Sequence, residues 1–464
     1  MTCVKAGRAR PAYRQPMSQA EAPSRALLAL AEARVPRYTS YPTAAQFGAL
    51  DEATYRRWLR EGVRASDPLS LYLHVPYCRD LCWYCACHTK ATRSEARIQA
   101  FAEALEAEAA LLEAALPAHG GVSHLHFGGG TPSILGPTRM AGLVATLRAR
   151  FGLRPGAEVA IELDPRTLDE AMVDMLGALG FTRASLGVQD IAPDVQARIG
   201  RPQPKELVAV GVERLRRAGI GGINIDLMYG LPTQTVEHVR ASARFAASLG
   251  ADRIAVFGYA HVAWMKPHQK AIDAATLPGI EARLEQAEAA EAELKAAGYA
   301  PLGLDHFAKP SDPLARAAAA GRLRRNFQGY TTDDAPVLLG LGPSAIGTLP
   351  GGHAQNMLDE RAYGAAVAEG RLPVARGVAV TAEDRHRAAL IERLMCDFAL
   401  DLDRRDPAVA SALARMAPLV EQGLVALSPD RLEVTPVGRR FVRQVAACFD
   451  AYWVPAATRH SSAV

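Results

Sequence analysis

Ser70-Leu-Tyr-Leu-His-Val-Pro-Tyr-Cys78-Arg-Asp-Leu-Cys82-Trp-Tyr-Cys85-Ala-Cys87-His-Thr-Lys90 is the stretch whose reading decides the fold. Its first half alternates apolar and polar residues and predicts a short strand that stops at Pro76. Four of the chain's 7 cysteines follow, Cys78, Cys82, Cys85 and Cys87. Thiols this crowded bind something, pair as disulfides or react. Disulfides are the weaker reading, because the other cysteines are scattered and nothing marks secretion. Zinc usually takes two ligand pairs separated by a longer stretch, and no second pair is visible. The spacing Cys-x3-Cys-x2-Cys lets one loop wrap three corners of an iron–sulfur cube, leaving one iron open to a ligand. A cluster is the first reading; zinc and a purely structural thiol group stay open beside it.

Outward from this loop, strand-like and helix-like runs alternate from Leu69 to Ala260. The apolar runs are Leu71–Val75, His124–Phe127, Val159–Leu163, Ala184–Val188, Ile223–Met228 and Ile254–Tyr259. Helical patterns such as Glu95–Leu116 and Lys205–Ala218 lie between them, and Gly180, Gly219 and Gly250 stand where helix C-caps belong. Six such units predict an α/β fold, a parallel sheet bent into a partial, TIM-like barrel rather than a closed eightfold one. Ligands of such folds sit at the carboxyl ends of strands. There the chain places Gly128-Gly129-Gly130-Thr131, Glu162-Leu-Asp164, Gln189-Asp190, Asp226 and Tyr259-Ala260-His261. Alternation puts Glu162 on the face opposite Val159, Ile161 and Leu163, where a carboxylate needs a cation or donors. Asp226 shares a face with Asn224 and Met228 by the same argument.

After Thr276 the pattern changes. Leu277–Ala297 reads as a long helix, Gly303–Ala308 as a turn segment, and the glycine-rich runs Asn326–Thr332 and Gly340–Gly347 as turn and loop. From Thr381 the order is helix (Glu383–Phe398), helix (Pro407–Gln422), hairpin (Leu424–Thr435), helix (Pro436–Cys448), a winged-helix-like arrangement. Its second helix carries Arg415 as its one base, which argues for packing rather than DNA reading. At the other end Ser24 is a candidate cap for a helix over Arg25–Arg34, and Asp51–Arg64 is amphipathic. The expected divisions are 1–68, an N-terminal tail and helical segment; 69–300, the barrel; 301–378, an extension completing the site; and 379–464, the helical C-terminal module.

The whole chain bounds these readings. It has 464 residues, 49% of them hydrophobic, enough for a large core and more than one domain. A net charge of +4 from 53 basic and 49 acidic residues is too small to argue for nucleic acid. No apolar run reaches the ~18 residues of a membrane span, and no signal-peptide core is visible, so a soluble cytoplasmic enzyme is expected. Residues Met1–Glu21 read as a tail.

Cys78-x3-Cys82-x2-Cys85, with Tyr84 before the last cysteine, resembles the radical S-adenosylmethionine motif. Gly128–Pro132 likewise resembles the glycine-rich segment of that superfamily, while the added Cys87 and the segment Pro36–Thr43 resemble one branch in particular, the oxygen-independent coproporphyrinogen III oxidases, or coproporphyrinogen dehydrogenases. The likeness runs from about Pro36 to Tyr452. It departs at Gly258, where Asn is frequent in the family, and at Pro343.

This resemblance implies a radical S-adenosylmethionine barrel whose 4Fe-4S cluster is held by Cys78, Cys82 and Cys85. Its open iron chelates S-adenosylmethionine, whose reductive cleavage gives a 5′-deoxyadenosyl radical. Two S-adenosylmethionine molecules are implied. Tyr72, Gly129, Glu162, Ala260, Gln189, Arg201 and Asp226 would surround the first. The second would meet Tyr84, Gly130, Thr131, Gln328 and Ile346. Cys87 and His74 are the candidate catalytic residues, against a plain structural reading for both.

The implied activity is an oxidoreductase of anaerobic haem (porphyrin) biosynthesis, converting two propionates of coproporphyrinogen III to vinyls. Arg37, Arg166, Lys309, Arg322, Arg324 and Arg325 are candidate partners of the substrate carboxylates. A flavodoxin- or ferredoxin-like electron donor and a monomer complete the expectation. The rival is a haem-binding chaperone on the same scaffold. Such paralogues lack the Cys87 position and carry His-Asn-x-x-Tyr-Trp; here His353-Ala-Gln-Asn356 stands instead. An RNA-modifying radical enzyme would need a basic RNA-binding module, and none is visible.

Overall fold

Leu69–Val75 forms strand β1 of a computed structural model that describes residues 25–454. Five strands follow at the expected places: β2 (Val122–Gly129), β3 (Leu153–Leu163), β4 (Arg183–Gln189), β5 (Gly222–Tyr229) and β6 (Arg253–Gly258). They lie side by side in chain order, every neighbouring pair parallel. Each is followed by a helix: α1 (Glu95–Ala115), α2 (Gly136–Phe151), α3 (Glu170–Ala178), α4 (Lys205–Arg217), α5 (Val236–Ser248) and α6 (Ile280–Ala296). Ser94 caps α1 and Thr235 caps α5, while Gly180, Gly219 and Gly250 follow α3, α4 and α5 with positive φ.

The strands are two-sided. Leu71, Leu73 and Val75, Leu125 and Phe127, Ile161 and Leu163, and Ile223, Ile225 and Leu227 are buried in one continuous core. Each contributes roughly 1.5–3 kcal/mol of apolar burial. The alternate positions carry a row of polar groups across paired strands, Tyr72, His126, Glu162, Ser185, Asn224 and Asp226. These line the interior of the sheet and lead up to its carboxyl rim.

A seventh parallel strand, β7 (Val337–Leu341), pairs with β1 on the side away from β2. Beyond it lie the antiparallel strands Ile346–Leu349, Gly352–Asn356, Val374–Ala379 and Gly48–Ala49; beyond β6 lie His306–Ala308 and Ala300–Leu302. The two edges do not pair with each other among the described residues, so the barrel is open. The reading of Gly340–Gly347 as loop holds for residues 342–345 and that of Gly303–Ala308 as turn for residues 303–305, while the rest of both segments is strand. Gly340 sits so close to the backbone of Ile346 that an added Cβ would lie 2.9 Å from it. The glycine is there for strand-to-strand approach, which looks identical to turn chemistry in a sequence.

The C-terminal module holds Ala382–Asp397, then a three-stranded sheet in which Arg431–Val434 pairs with both Ala399–Asp401 and Val425–Leu427. The helix expected over Pro407–Gln422 is two, Pro407–Ala414 and Ala417–Glu421, because Pro418 has no N–H to continue the first. The last helix begins as a short 3₁₀ turn, Gly438–Phe441, before Val442–Ala447. Ser24 lies outside the described residues, as do Met1–Glu21. Arg37–Thr43 is no linker. Tyr38 Oη donates to Asp450 Oδ2 at 3.0 Å, the Ala451 N–H donates to Tyr41 Oη at 2.9 Å, and Arg443 Nε donates to Pro36 O at 3.0 Å. No helix of the described residues is long and apolar enough to cross a membrane.

Candidate active site

The ends of β2 to β6 and the cysteine loop that follows β1 open on one cavity at the carboxyl rim. Cys78, Cys82, Cys85 and Cys87 line it together with Tyr84, Gly129, Gly130, Thr131, Glu162, Gln189, Arg201, Asp226 and Ala260. No three His, Cys, Asp or Glu side chains among the described residues are grouped as a single-ion site.

The cysteine loop is held from both sides. Tyr77–Cys78 pairs with Lys90–Ala91. The Cys78 sulfur lies 3.3 Å from Thr131 Oγ1 and 3.4 Å from Thr89 Oγ1. After β6, the segment Lys266–Gln269 clamps the loop's carbonyls. Lys266 Nζ donates to Cys87 O (2.7 Å), Gln269 Nε2 donates to Tyr84 O (2.8 Å), and His268 Nε2 meets Cys85 O (2.7 Å). Nothing in the sequence pattern marks these three residues as site residues.

Cys82 carries the charge compensation. Arg201 Nη1 lies 3.2 Å and Arg166 Nη2 3.4 Å from its sulfur, and both arginines grip Asp164. Burial opposes the charge on Arg201, but Tyr84, Asp164 and Cys82 together hold its guanidinium above the usual range. The mutual hydrogen bond of Cys85 and Cys87 lowers the Cys85 thiol to about 7 and raises the Cys87 thiol. Two guanidiniums and a low-lying thiol would suit a donor set that binds a metal as thiolates.

Glu162 accepts the Gly129 N–H at Oε2 (3.1 Å) and meets His126 Nε2 at Oε1 (3.3 Å). Burial pushes its carboxyl up, yet His126 and the Gly129 amide hold it below the ordinary value, so it faces the cavity ionised. Asp226 differs: burial raises it to about 6, even though Ser185 and Asn224 donate to it at 2.9 and 2.8 Å. His126 and Ser185 escaped the sequence reading, although the alternation that singled out Glu162 puts them on the same face; Asn224, expected on the face of Asp226, donates to it.

His74 is neutral. Burial lowers it to about 4, Nε2 bonds His88 O at 2.8 Å, and Nδ1 bonds Tyr72 Oη at 3.1 Å. Its ring packs on Gly129, where an added Cβ would sit 2.7 Å away. Gly128 is pressed likewise by Glu162, and Gly130 by Tyr77 O and Thr89. The three glycines are needed first for packing of the protein on itself, with Gly129 and Gly130 left bordering the cavity.

Tyr72 lies on β1 below this rim. Gln328 is exposed in the turn of a hairpin, Arg324–Asn326 with Gly329–Thr331, outside the cavity lining. Ile346 opens the strand next to β7, whose Gly340 pairs with Tyr72, and also lies outside that lining. Among the basic candidates, Arg37 lines the cavity, and Arg166 lines it while bound to Asp164. Lys309 bonds Gly250 O and Asp252 at the opposite end of the sheet. Arg322 and Arg324 line a separate surface cavity, and Arg325 stacks on Tyr330 at 4.4 Å.

Residues 72–246 match the Radical SAM superfamily model, and residues 380–441 match the HemN C-terminal domain. An oxygen-independent coproporphyrinogen III oxidase from Bradyrhizobium diazoefficiens is 48% identical, over 93% of this chain and 98% of that protein. One from Paracoccus denitrificans is 44% identical, over 94% and 98%. The solved structure of coproporphyrinogen III oxidase (HemN) from Escherichia coli, described as a radical SAM enzyme, superposes with a TM-score of 0.86 at 38% identity, covering 90% of this chain and 98% of that one. On identity and coverage of this extent, the chain belongs to the oxygen-independent coproporphyrinogen III oxidase family of the radical SAM superfamily.

Proposed function

We propose that this protein oxidatively decarboxylates two propionates of coproporphyrinogen III to vinyls, giving protoporphyrinogen IX without oxygen. The observation that carries this is the meeting of Cys78, Cys82, Cys85, Glu162 and Arg201 on one cavity in a member of this family. Cys78, Cys82 and Cys85 would hold a 4Fe-4S cluster, which together with S-adenosylmethionine would supply the radical chemistry needed at the propionate carbon beside the ring. Around that centre the chain's own residues have distinct tasks. Arg201 and Arg166 offset the charge of the Cys82 thiolate. Glu162, ionised and fixed by His126, offers a counter-charge to a sulfonium or ammonium group. His74, with both ring nitrogens engaged, positions Tyr72 and Gly129 and is not a base. Cys87 lies on the lining of the same cavity.

The lining supports a second S-adenosylmethionine through Tyr84, Gly130 and Thr131, while Gln328 and Ile346 stand apart from it. Each vinyl requires loss of one hydrogen atom, one electron and carbon dioxide, so two cofactor molecules are consumed per substrate and an electron acceptor is implied. A flavodoxin- or ferredoxin-like donor and a monomeric state belong to this reading.

The chaperone alternative has less support. His353 bonds Thr348 Oγ1 at Nδ1 and Tyr41 O at Nε2, so neither nitrogen faces a haem. The test is an anaerobic assay with coproporphyrinogen III deuterated at the propionate carbon beside the ring. Carbon dioxide and 5′-deoxyadenosine should each form near two per protoporphyrinogen, with deuterium in the deoxyadenosine. A ratio near one defeats the two-cofactor reading; absence of carbon dioxide defeats the decarboxylase.

A further inference from the structure

The lysines and arginines in or bonded to the cysteine loop differ in how their charge is met. Arg79 pairs with Glu95, Arg93 with Asp80 and Lys90 with Glu360, while Arg166 and Arg201 share Asp164. Lys266 forms no ion pair among the described residues; its Nζ donates to Cys87 O at 2.7 Å. Glu162, the ionised carboxylate of the same cavity, is held by His126 and the Gly129 N–H instead.

The half-buried Lys266 is fixed by a closed turn after β6. Its backbone N–H donates to Val262 O at 2.9 Å, and its carbonyl accepts the Gln269 N–H at 2.9 Å. Gln269, fully buried, locks the turn: Oε1 accepts the Val262 N–H at 2.6 Å, and Nε2 donates to Tyr84 O at 2.8 Å. His268 meets Cys85 O from the same turn. The ammonium is thus carried by a segment tied to the loop it faces. Its field reaches the thiols as well. The Cys87 hydrogen bond lowers the Cys85 thiol most, and Lys266 and then Arg201 add to this against burial.

An ammonium drawn out of water onto a carbonyl gains from an anion placed beside it. A 4Fe-4S cluster on three thiolates is an anion, and reduction adds a further negative charge at the same place. Net charge and hydrogen bonding set the potential of such clusters, and a fixed cation favours the reduced form.

We propose that Lys266 is a tuning residue whose ammonium, held against Cys87 O, raises the reduction potential of the cluster bound by Cys78, Cys82 and Cys85. The assignment rests on the cluster in the reading above and is independent of the substrate's identity. In the step it serves, a one-electron donor is oxidised and the cluster is reduced; no bond breaks and Lys266 keeps its proton.

The test uses the full chain, reconstituted without oxygen, as wild type, Lys266→Gln, Lys266→Met and Lys266→Arg. Gln keeps a donor and loses the charge, Met loses both, and Arg keeps both. Iron content reports on assembly, and electron paramagnetic resonance of the reduced cluster in a mediated redox titration reports on potential. At a fixed potential the ratio of reduced to oxidised cluster should fall about tenfold in the Gln and Met variants, which is about 59 mV for one electron. Lys266→Arg should stay within about twofold of wild type, and iron content should match wild type throughout. A ratio within about twofold of wild type in Lys266→Gln overturns the proposal. An equal fall in Lys266→Arg also overturns it, since shape and not charge would then be the cause. Loss of iron from both uncharged variants overturns it in favour of a plain anchor for the loop. A wild type that takes up no cluster defeats the cluster reading and this proposal with it. A wild type that holds the cluster but releases no carbon dioxide defeats the decarboxylase alone, because the potentials still decide the role of Lys266.

Discussion

Arg201 places Nη1 3.2 Å from the Cys82 sulfur while the same guanidinium donates to both oxygens of Asp164, at 3.2 and 3.1 Å. One buried cation thus ties the cysteine loop to the end of β3. Arg201→Gln should cost about 2–3 kcal/mol in urea unfolding of the apoprotein, since Arg166 still holds Asp164. The reconstituted variant should also lose iron to a chelator several times faster than wild type. A stability change under about 0.5 kcal/mol would show that the pairing contributes nothing net.

The proposed function divides the thiols three and one. Cys78→Ala, Cys82→Ala and Cys85→Ala should each lose a cluster of roughly four irons on anaerobic reconstitution. Cys87→Ala should retain it and lose turnover. Loss of iron in Cys87→Ala, with retention in any of the other three, reverses the assignment.

Glu162→Gln keeps an acceptor for the Gly129 N–H and removes the charge. Its iron content should match wild type while S-adenosylmethionine binds about tenfold or more weakly. Unchanged affinity in equilibrium dialysis assigns Glu162 to the packing of Gly128 and His126 alone.

Glu108, on α1, accepts from Tyr363 Oη (2.7 Å), the Gly342 N–H (2.7 Å) and Asn356 Nδ2 (2.6 Å), and so anchors the turn after β7. Burial, outweighing these donors, raises its carboxyl to about 7 from an ordinary 4.5. Between those values the native state keeps a proton that the unfolded chain has released. Its contribution to stability is therefore present at acid pH and lost as pH rises through 7, by roughly 3 kcal/mol. Glu108→Gln, compared with wild type in urea at pH 5 and pH 7.5, should show a shallower fall. Parallel pH profiles would rule the group out as the source.

The sequence by itself determined the architecture and the chemistry at its centre. Hydrophobic alternation located all six strands of the barrel, because a strand buried on one face and lining a cavity on the other must repeat every two residues. Cysteine spacing located the thiol loop, because its ligands are near neighbours in the chain. Alternation also separated Glu162 and Asp226 from the core.

Tertiary structure decided what depends on distant segments. β7 escaped notice because Gly340 serves a close strand pairing that the sequence cannot distinguish from a turn. Arg166 and Lys309 look alike as basic residues, yet one reaches Cys82 and the other the opposite end of the sheet. The clamp from Lys266, His268 and Gln269 on the cysteine loop spans about 180 residues of chain. Arg37, Arg283, Arg439 and Arg443 meet only because the N-terminal segment and the C-terminal module pack into a shared core beside β6. Charge acts through space with no periodicity along the chain, so its partners become known only once the chain has folded.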